Sequence, residues 1–206
     1  LLPTFADIFN LNNEANSELI WTLPYIVNEN VTPGTSPNFF AYYLAPNGDR
    51  TRLREAGYTE DEVPAGSHAQ YVVPTQAYCD FLAEDARDTR TDVSVRVFED
   101  KFLTEEVQIK RMVVKFIGSF ANDTRSFDSD VPVYRLAEAY LLKAEVENAL
   151  GNTDAALQNL NVVAKRAYGV DNYYTARTQD AIDNAIISEI LKEFVAESKA
   201  WWAYLR

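Results

Sequence analysis

The sequence predicts a mainly α-helical fold built on paired helices, with long loops and one small β-hairpin. Three observations carry that prediction. Apolar residues recur at helical spacing through most of residues 130–206. Prolines and glycines gather in residues 28–75, where no regular period survives. Valines alternate with polar residues between Val93 and Val97, and again at Val107 and Ile109.

The elements follow in chain order as one domain over residues 1–206. Residues 1–27 read as a helix and then a short extended segment, Leu19-Ile20-Trp21-Thr22-Leu23, whose apolar run places Trp21 in the core. Residues 28–75 form a loop-rich region punctuated by Pro33-Gly34, Pro37, Pro46-Asn47-Gly48, Gly57, Pro64, Gly66 and Pro74. Residues 76–129 hold a helix and the β-hairpin, with Glu99 to Glu106 as the hairpin connection.

The segment from 130 to 206 is the most regular. Val133, Leu136, Tyr140, Leu141, Ala144 and Leu150 make one helical stripe. Pro132 suits the first turn, where its missing donor costs nothing, and Asp130 favours the positive helix end. Gly151 can take the left-handed conformation that stops a helix, and Asn152 or Thr153 can cap the next. The second helix buries Ala156, Leu157, Leu160, Val163, Ala164 and Ala167 and ends at Gly169. So short a turn packs the two helices antiparallel. The spacing around Leu150, Gly151, Ala155 and Ala156 is similar to a tetratricopeptide repeat, and a lone unit needs neighbours to cover both faces. A third helix runs from about Thr178 to about Ser198 on a stripe of Ile182, Ala185, Ile186, Ile190 and Phe194. Glu189, Glu193 and Glu197 repeat along one face of it, which reads as a solvated face.

Long loops inside a compact domain usually carry function. Phe39, Phe40, Tyr42 and Tyr43 crowd together in the middle region, with Asn38, Asp49 and Arg50 close by in sequence. Aromatic faces stack on the apolar faces of sugar rings, while amide, carboxylate and guanidinium groups bond to hydroxyls. Asn38, Phe40, Tyr42, Tyr43, Asp49 and Arg50 are therefore the candidate glycan-binding residues; the alternative is that these rings anchor the loop to the helices. If the segment is extended, Phe40 and Tyr42 share one face and Phe39 and Ala41 the other.

Composition bounds the rest. Hydrophobic residues make up 47% of the 206 and aromatics 13%, which suits a packed domain. A formal net charge of −12 argues against nucleic acid and against unaided attraction to an anionic membrane. Cys79 is the single cysteine, so no internal disulfide forms. His68 is the single histidine, so a two-histidine metal site and a triad built on a second histidine are excluded. No glycine-rich phosphate cradle is present, and no metal or cofactor is expected. Carboxylate pairs such as Glu84 with Asp88, or Asp123 with Asp128, could serve glycoside hydrolysis, but 31 acidic residues make such proximity common by chance. No catalytic residue is assigned, and no apolar run is long enough to span a bilayer.

One resemblance has specific residues. Asp130, Pro132, Tyr134, Arg135, Ala137 and Glu138 match an Asp-x-Pro-x-x-Arg-aliphatic-Ala-Glu helix entry. Leu141, Leu142, Ala144 and Glu145 follow, then Gly151, Leu160, Asn161, Val163, Arg166 and Ala167. Glu189, Glu193, Phe194, Glu197, Trp201, Trp202, Leu205 and Arg206 close the series. In this order they resemble the carboxy-terminal part of the SusD/RagB family of outer-membrane nutrient-binding lipoproteins. Lys199-Ala200 and Ala203-Tyr204 depart from the family pattern. The resemblance implies a SusD-like helical fold and a scaffold role for the motif residues. It also implies non-catalytic binding of oligosaccharide at the cell surface, for delivery to a SusC-like TonB-dependent transporter. The expected location is the outer membrane, through a lipid anchor that this chain does not contain, and the chain is expected to be a fragment of a longer protein. Two rivals stand beside this reading: a tetratricopeptide-type protein-binding adaptor and an all-α glycoside hydrolase with two carboxylates facing a cleft.

Overall fold

The structure is a computed structural model that describes residues 1–32, 73–100, 108–116, 118–121 and 124–206. Its elements in chain order are two 3-10 turns (Ala6–Phe9 and Leu11–Asn13), β1 (Leu19–Leu23), α1 (Gln76–Leu82), α2 (Thr91–Ser94), β2 (Val95–Asp100), β3 (Gln108–Val113), β4 (Ser119–Ala121), β5 (Thr124–Ser126), β6 (Val131–Arg135), α3 (Leu136–Ala149), α4 (Thr153–Tyr168), α5 (Gln179–Glu193) and α6 (Ala200–Leu205). The fold is mainly helical, as predicted. It divides into two compact units, one of Leu1–Thr22, Asp85–Thr91 and Pro132–Arg206, the other of Leu23–Glu84 and Asp92–Val131.

The first unit is a helical layer on α3, α4 and α5. Ala137, Leu141 and Ala144 of α3 meet Ala156, Leu157, Leu160 and Val163 of α4, with Ile182, Ile186 and Ile190 of α5 closing the cluster. Alanines at the contact let the backbones approach closely, which suits the antiparallel pair that the tight turn dictates. Gly151 (φ 81°) and Gly169 (φ 68°) both take the left-handed conformation at the helix ends. Thr178 caps α5 by accepting a bond from the Ala181 amide at 3.3 Å.

Three helix expectations need correction. Residues 131–135 are strand, not helix: β6 pairs with β1, and the Leu136 amide donates to the Glu18 carbonyl at 2.9 Å. β-branched Val131 and Val133 favour that state, and Pro132 is tolerated in a two-stranded ribbon, where every strand is an edge. Leu150, expected on the α3 stripe, is exposed because it closes the helix just before the turn. The third helix stops at Glu193, not near Ser198, and Ala196 (φ 60°) and Ser198 (φ 61°) turn the chain sharply before α6.

The second unit contains the predicted hairpin. β2 and β3 pair antiparallel from Val95 opposite Val113 to Asp100 opposite Gln108. The valines do not all face the core as their spacing suggested: Val95 is buried, but Val97 is exposed and it is Phe98, one residue on and on the opposite face, that is buried. Arg111 of β3 donates to the Pro74 carbonyl at 2.9 Å, just ahead of α1, which Thr75 caps. β4 and β5 form a second small ribbon. The Asp128 carboxylate accepts the Ser119 amide at 2.7 Å and the Ser119 hydroxyl at 2.6 Å, closing that ribbon's base.

Gly118 sits beside this base with φ 77°, and a Cβ there would overlap the Ser126 carbonyl oxygen. Gly151 has a similar φ of 81° but open space around it. Gly151→Ala should therefore lose only the left-handed penalty, about 1–2 kcal/mol. Gly118→Ala should lose clearly more, because the ribbon must also shift. Thermal unfolding of both variants checks the ranking, and equal losses would contradict the predicted clash.

Candidate functional site

The Glu189, Glu193 and Glu197 series does not face solvent. Glu189 and Glu193 are 0% exposed and Glu197 is 5%. They meet a set of buried cations from distant parts of the chain. Arg135, the last residue of β6, donates to Glu197 at 2.7 and 2.9 Å, to Glu193 at 2.9 Å and to Glu18 at 3.2 Å. Arg166 of α4 donates to both Glu18 oxygens at 2.6 Å and also contacts Glu193. Arg90 donates to Asp88 at 2.7 Å and to Glu189 at 2.7 Å. Tyr168 and Tyr174 donate their hydroxyls to Glu189 at 2.9 and 2.8 Å. The solvated-face reading fails because these carboxylates find partners that sequence spacing cannot show.

The electrostatics fix what this cluster can do. Burial alone would push the Glu193 carboxyl upward, but Arg166, Arg135 and Arg90 outweigh it and hold Glu193 well below its ordinary range. Burial opposes the charge on Arg135, and Glu197, Glu193 and Glu18 more than restore it. Burial and the Glu189 charge push both tyrosine hydroxyls upward, so they stay protonated donors. A carboxylate locked in its charged form cannot hand a proton to a leaving group. The chemistry of this cluster is that of a clamp.

Two surface features stand apart from this clamp. A cavity of about 530 Å³ opens between α4 and residues 171–177, lined among others by Asp154, Gln158, Asn161, Tyr174 and Arg177. Asn161 holds its far wall through two 2.9 Å bonds with the Tyr174 backbone. The wall is further fixed by stacking of Tyr173 on Tyr168 at 3.8 Å and 7°. Tyr173 also donates to Asp85 at 2.9 Å, and burial together with that bond pushes its hydroxyl up to about 12.

A second surface lies on the β1–β6 ribbon. Trp21, expected in the core, is 56% exposed, and its ring lies 6.1 Å from that of Tyr134, itself 48% exposed. A two-stranded ribbon cannot cover both of its faces, so an apolar run such as Leu19–Leu23 leaves some of its side chains outside. The sequence-predicted residues Asn38, Phe40, Tyr42, Tyr43, Asp49 and Arg50 all lie outside the described residues. Sequence reasoning missed Trp21, Tyr134 and the Asn161–Tyr174 wall. Only Trp21 gave a signal, since Leu19, Ile20, Trp21 and Leu23 make both faces of the strand apolar and a two-stranded ribbon leaves one of them outside.

Comparison with known proteins matches this architecture. The SusD family model covers residues 99–206. A SusD-like protein of Formosa agariphila is 27% identical over 220 aligned positions, covering 96% of this chain and 41% of that protein. A SusD superfamily protein of Bacteroides fragilis superposes with a TM-score of 0.76 at 26% identity, covering 98% of this chain and 43% of its own. The surface glycan-binding protein A of Bacteroides uniformis shares the fold with a TM-score of 0.67 at 23% identity, covering 98% of this chain and 40% of its own. This chain belongs to the SusD family, and it spans less than half the length of these relatives.

The clamp yields an acid-stability prediction. Glu193 has a depressed folded-state pKa, so its contribution is complete above its unfolded value near 4.3 and is lost as pH falls below it. The melting temperature should therefore drop between about pH 5 and pH 3. Glu193→Gln should start lower and lose less across that window. Arg135→Met, which leaves buried carboxylates uncompensated, should lose about 3–5 kcal/mol at neutral pH. Denaturant unfolding across pH tests both, and an unaltered acid slope in Glu193→Gln would remove the residue from the clamp.

Proposed function

We propose that this chain is part of a surface glycan-binding protein that captures oligosaccharide without catalysis. Delivery to a SusC-like TonB-dependent transporter in the outer membrane belongs to the same reading. The observation that carries it is membership of the SusD family, together with the shared fold of a surface glycan-binding protein. The electrostatics support the non-catalytic part. Glu189 and Glu193, the buried carboxylates that a hydrolase would need at a cleft, are bonded to arginines and tyrosines. Capture of neutral sugars needs no charge of its own; it needs aromatic faces and a few hydroxyl-directed polar groups. Such groups are concentrated at Asn38, Phe40, Tyr42, Tyr43, Asp49 and Arg50. The outer-membrane location rests on the family. No helix among the described residues is long and apolar enough to cross a bilayer.

A glycan array probed with this chain tests the reading, followed by titration of the best ligand. Tyr42→Ala and Tyr43→Ala should each weaken binding about tenfold, the loss expected for one stacking ring, with the melting temperature unchanged. New reducing ends appearing in the glycan would instead identify an enzyme. An array on which no sugar binds would remove the glycan reading altogether.

A further inference from the structure

The polar cleft beside α4 is closed on one side by a strap of chain, residues 171–177. Residues 173–177 have no regular secondary structure. The strap runs antiparallel to α4 and meets it at three places. Arg177 pairs with Asp154, in the first turn of the helix, at 2.5 Å. The Tyr174 main chain exchanges two 2.9 Å bonds with the Asn161 side chain at mid-helix. Asp171 pairs with Lys165, in the last turn, at 2.7 Å. Tyr174 is thus the midpoint of the strap, equally far along the chain from both ion pairs.

The three ties differ in kind. At the centre, Asn161 is 9% exposed, and the Tyr174 hydroxyl donates to the fully buried Glu189 at 2.8 Å. Breaking this tie leaves buried polar groups without partners, which is costly. The ends are the opposite. The side chains of Asp154 and Arg177 are 83% and 65% exposed, and those of Asp171 and Lys165 are 73% and 62% exposed. Such pairs favour the closed geometry by a factor of about five at most, and salt screens them. Between strap and helix lies a cavity of about 530 Å³ instead of interlocked side chains, so lifting an end separates little packed apolar surface. The floor offers one apolar residue near each end, Leu157 a turn from Asp154 and Val162 a turn from Lys165.

We propose that residues 171–177 are a two-ended gate over this cleft. Each end opens on its own by releasing one exposed ion pair, while Tyr174 stays fixed at the centre. Ionic strength thereby sets access to each half of the cleft floor. The gate is independent of the glycan-capture reading and stands or falls without it.

Cys79 is the single cysteine, so Cys79→Ala combined with Leu157→Cys or Val162→Cys places one thiol beneath each end. The readout is the rate of alkylation by iodoacetamide, a neutral reagent, relative to Ser17→Cys at an exposed position. Lys165→Gln should raise the rate at position 162 about two- to fivefold and leave position 157 unchanged, and Arg177→Gln should do the reverse. Losing a nearby cation by itself slows a thiol, by disfavouring the thiolate, so a rise reports opening. About 1 M sodium chloride, with a screening length of about 3 Å, should raise both rates while the ion pairs are intact. It should not raise the rate at an end whose pair has been removed. If each substitution speeds both thiols, the strap leaves as a unit and the fixed centre is overturned. If neither substitution nor salt changes either rate, the ends do not gate the cleft and the proposal falls. Should Leu157→Cys fail to fold, Val162→Cys at its half-buried position decides alone, by responding to Lys165→Gln and not to Arg177→Gln.

Discussion

Arg135 is enclosed by protein, and its guanidinium reaches Glu18, Glu193 and Glu197 at once. The rings of Phe5, Phe9 and Phe194 surround it at 5.9, 5.6 and 4.7 Å. Through these contacts a single side chain ties the amino-terminal turns, the entry to β1, the end of β6, the end of α5 and the turn beyond it. Buried ion pairs are weak contributors to net stability, since desolvation offsets most of the attraction. What they do well is reject alternatives. A slip of α5 by one residue would leave buried carboxylates facing apolar side chains, at a cost of several kcal/mol. The alanine-rich contact between α3 and α4 has no such selectivity, because small residues pack acceptably in several registers. The ionic clamp therefore sets the register that the apolar core then fills.

The same constraint accounts for the irregular end of α5. Glu197 must turn back to meet Arg135, and a continuing helix would carry it away. Ala196 and Ser198 take positive φ values to make that turn, each at about 1–2 kcal/mol. The charge-assisted bonds at 2.7 and 2.9 Å from Arg135 to Glu197 hold the strained turn in place. One turn earlier on the same face of α5, Glu189 collects Arg90, Tyr168 and Tyr174. Arg90 brings the segment 85–91 with it, and the Thr89 amide donates to the Ala167 carbonyl at 3.0 Å. A short stretch from the middle of the sequence thus becomes part of the helical unit by charge rather than by apolar area.

Whatever depended on local period was legible in the sequence. The α4 stripe, the glycines that end helices at 151 and 169, the start of α5 near Thr178 and the β2–β3 hairpin each rest on residues within a few positions of one another. The clamp was not legible, because the bonds of Arg135 at its centre join residues 58 to 117 positions apart. A Glu repeat looks the same whether its partners are water or distant arginines. Residues 131–135 misled for a related reason: Pro132 fits a first helical turn as well as a ribbon strand, and only pairing with β1 decides between them. Trp21 was placed inside by its apolar neighbours, yet a two-stranded ribbon has too few layers to bury both faces. The Asn38 to Arg50 residues were chosen by composition, and the described residues do not reach them.

The buried clamp and an exposed aromatic surface meet on one strand. Successive residues of a strand point to opposite faces, so Arg135 enters the clamp while Tyr134 faces out toward Trp21. The rotation that β6 can make about its own axis is limited by the bonds of Arg135. That limit passes directly to the plane of the Tyr134 ring, and Lys199 restrains the ring a second time. Lys199 itself follows the strained turn that Glu197 and Arg135 impose. A charged cluster that contributes modestly to net stability thereby also keeps an exposed ring in one orientation.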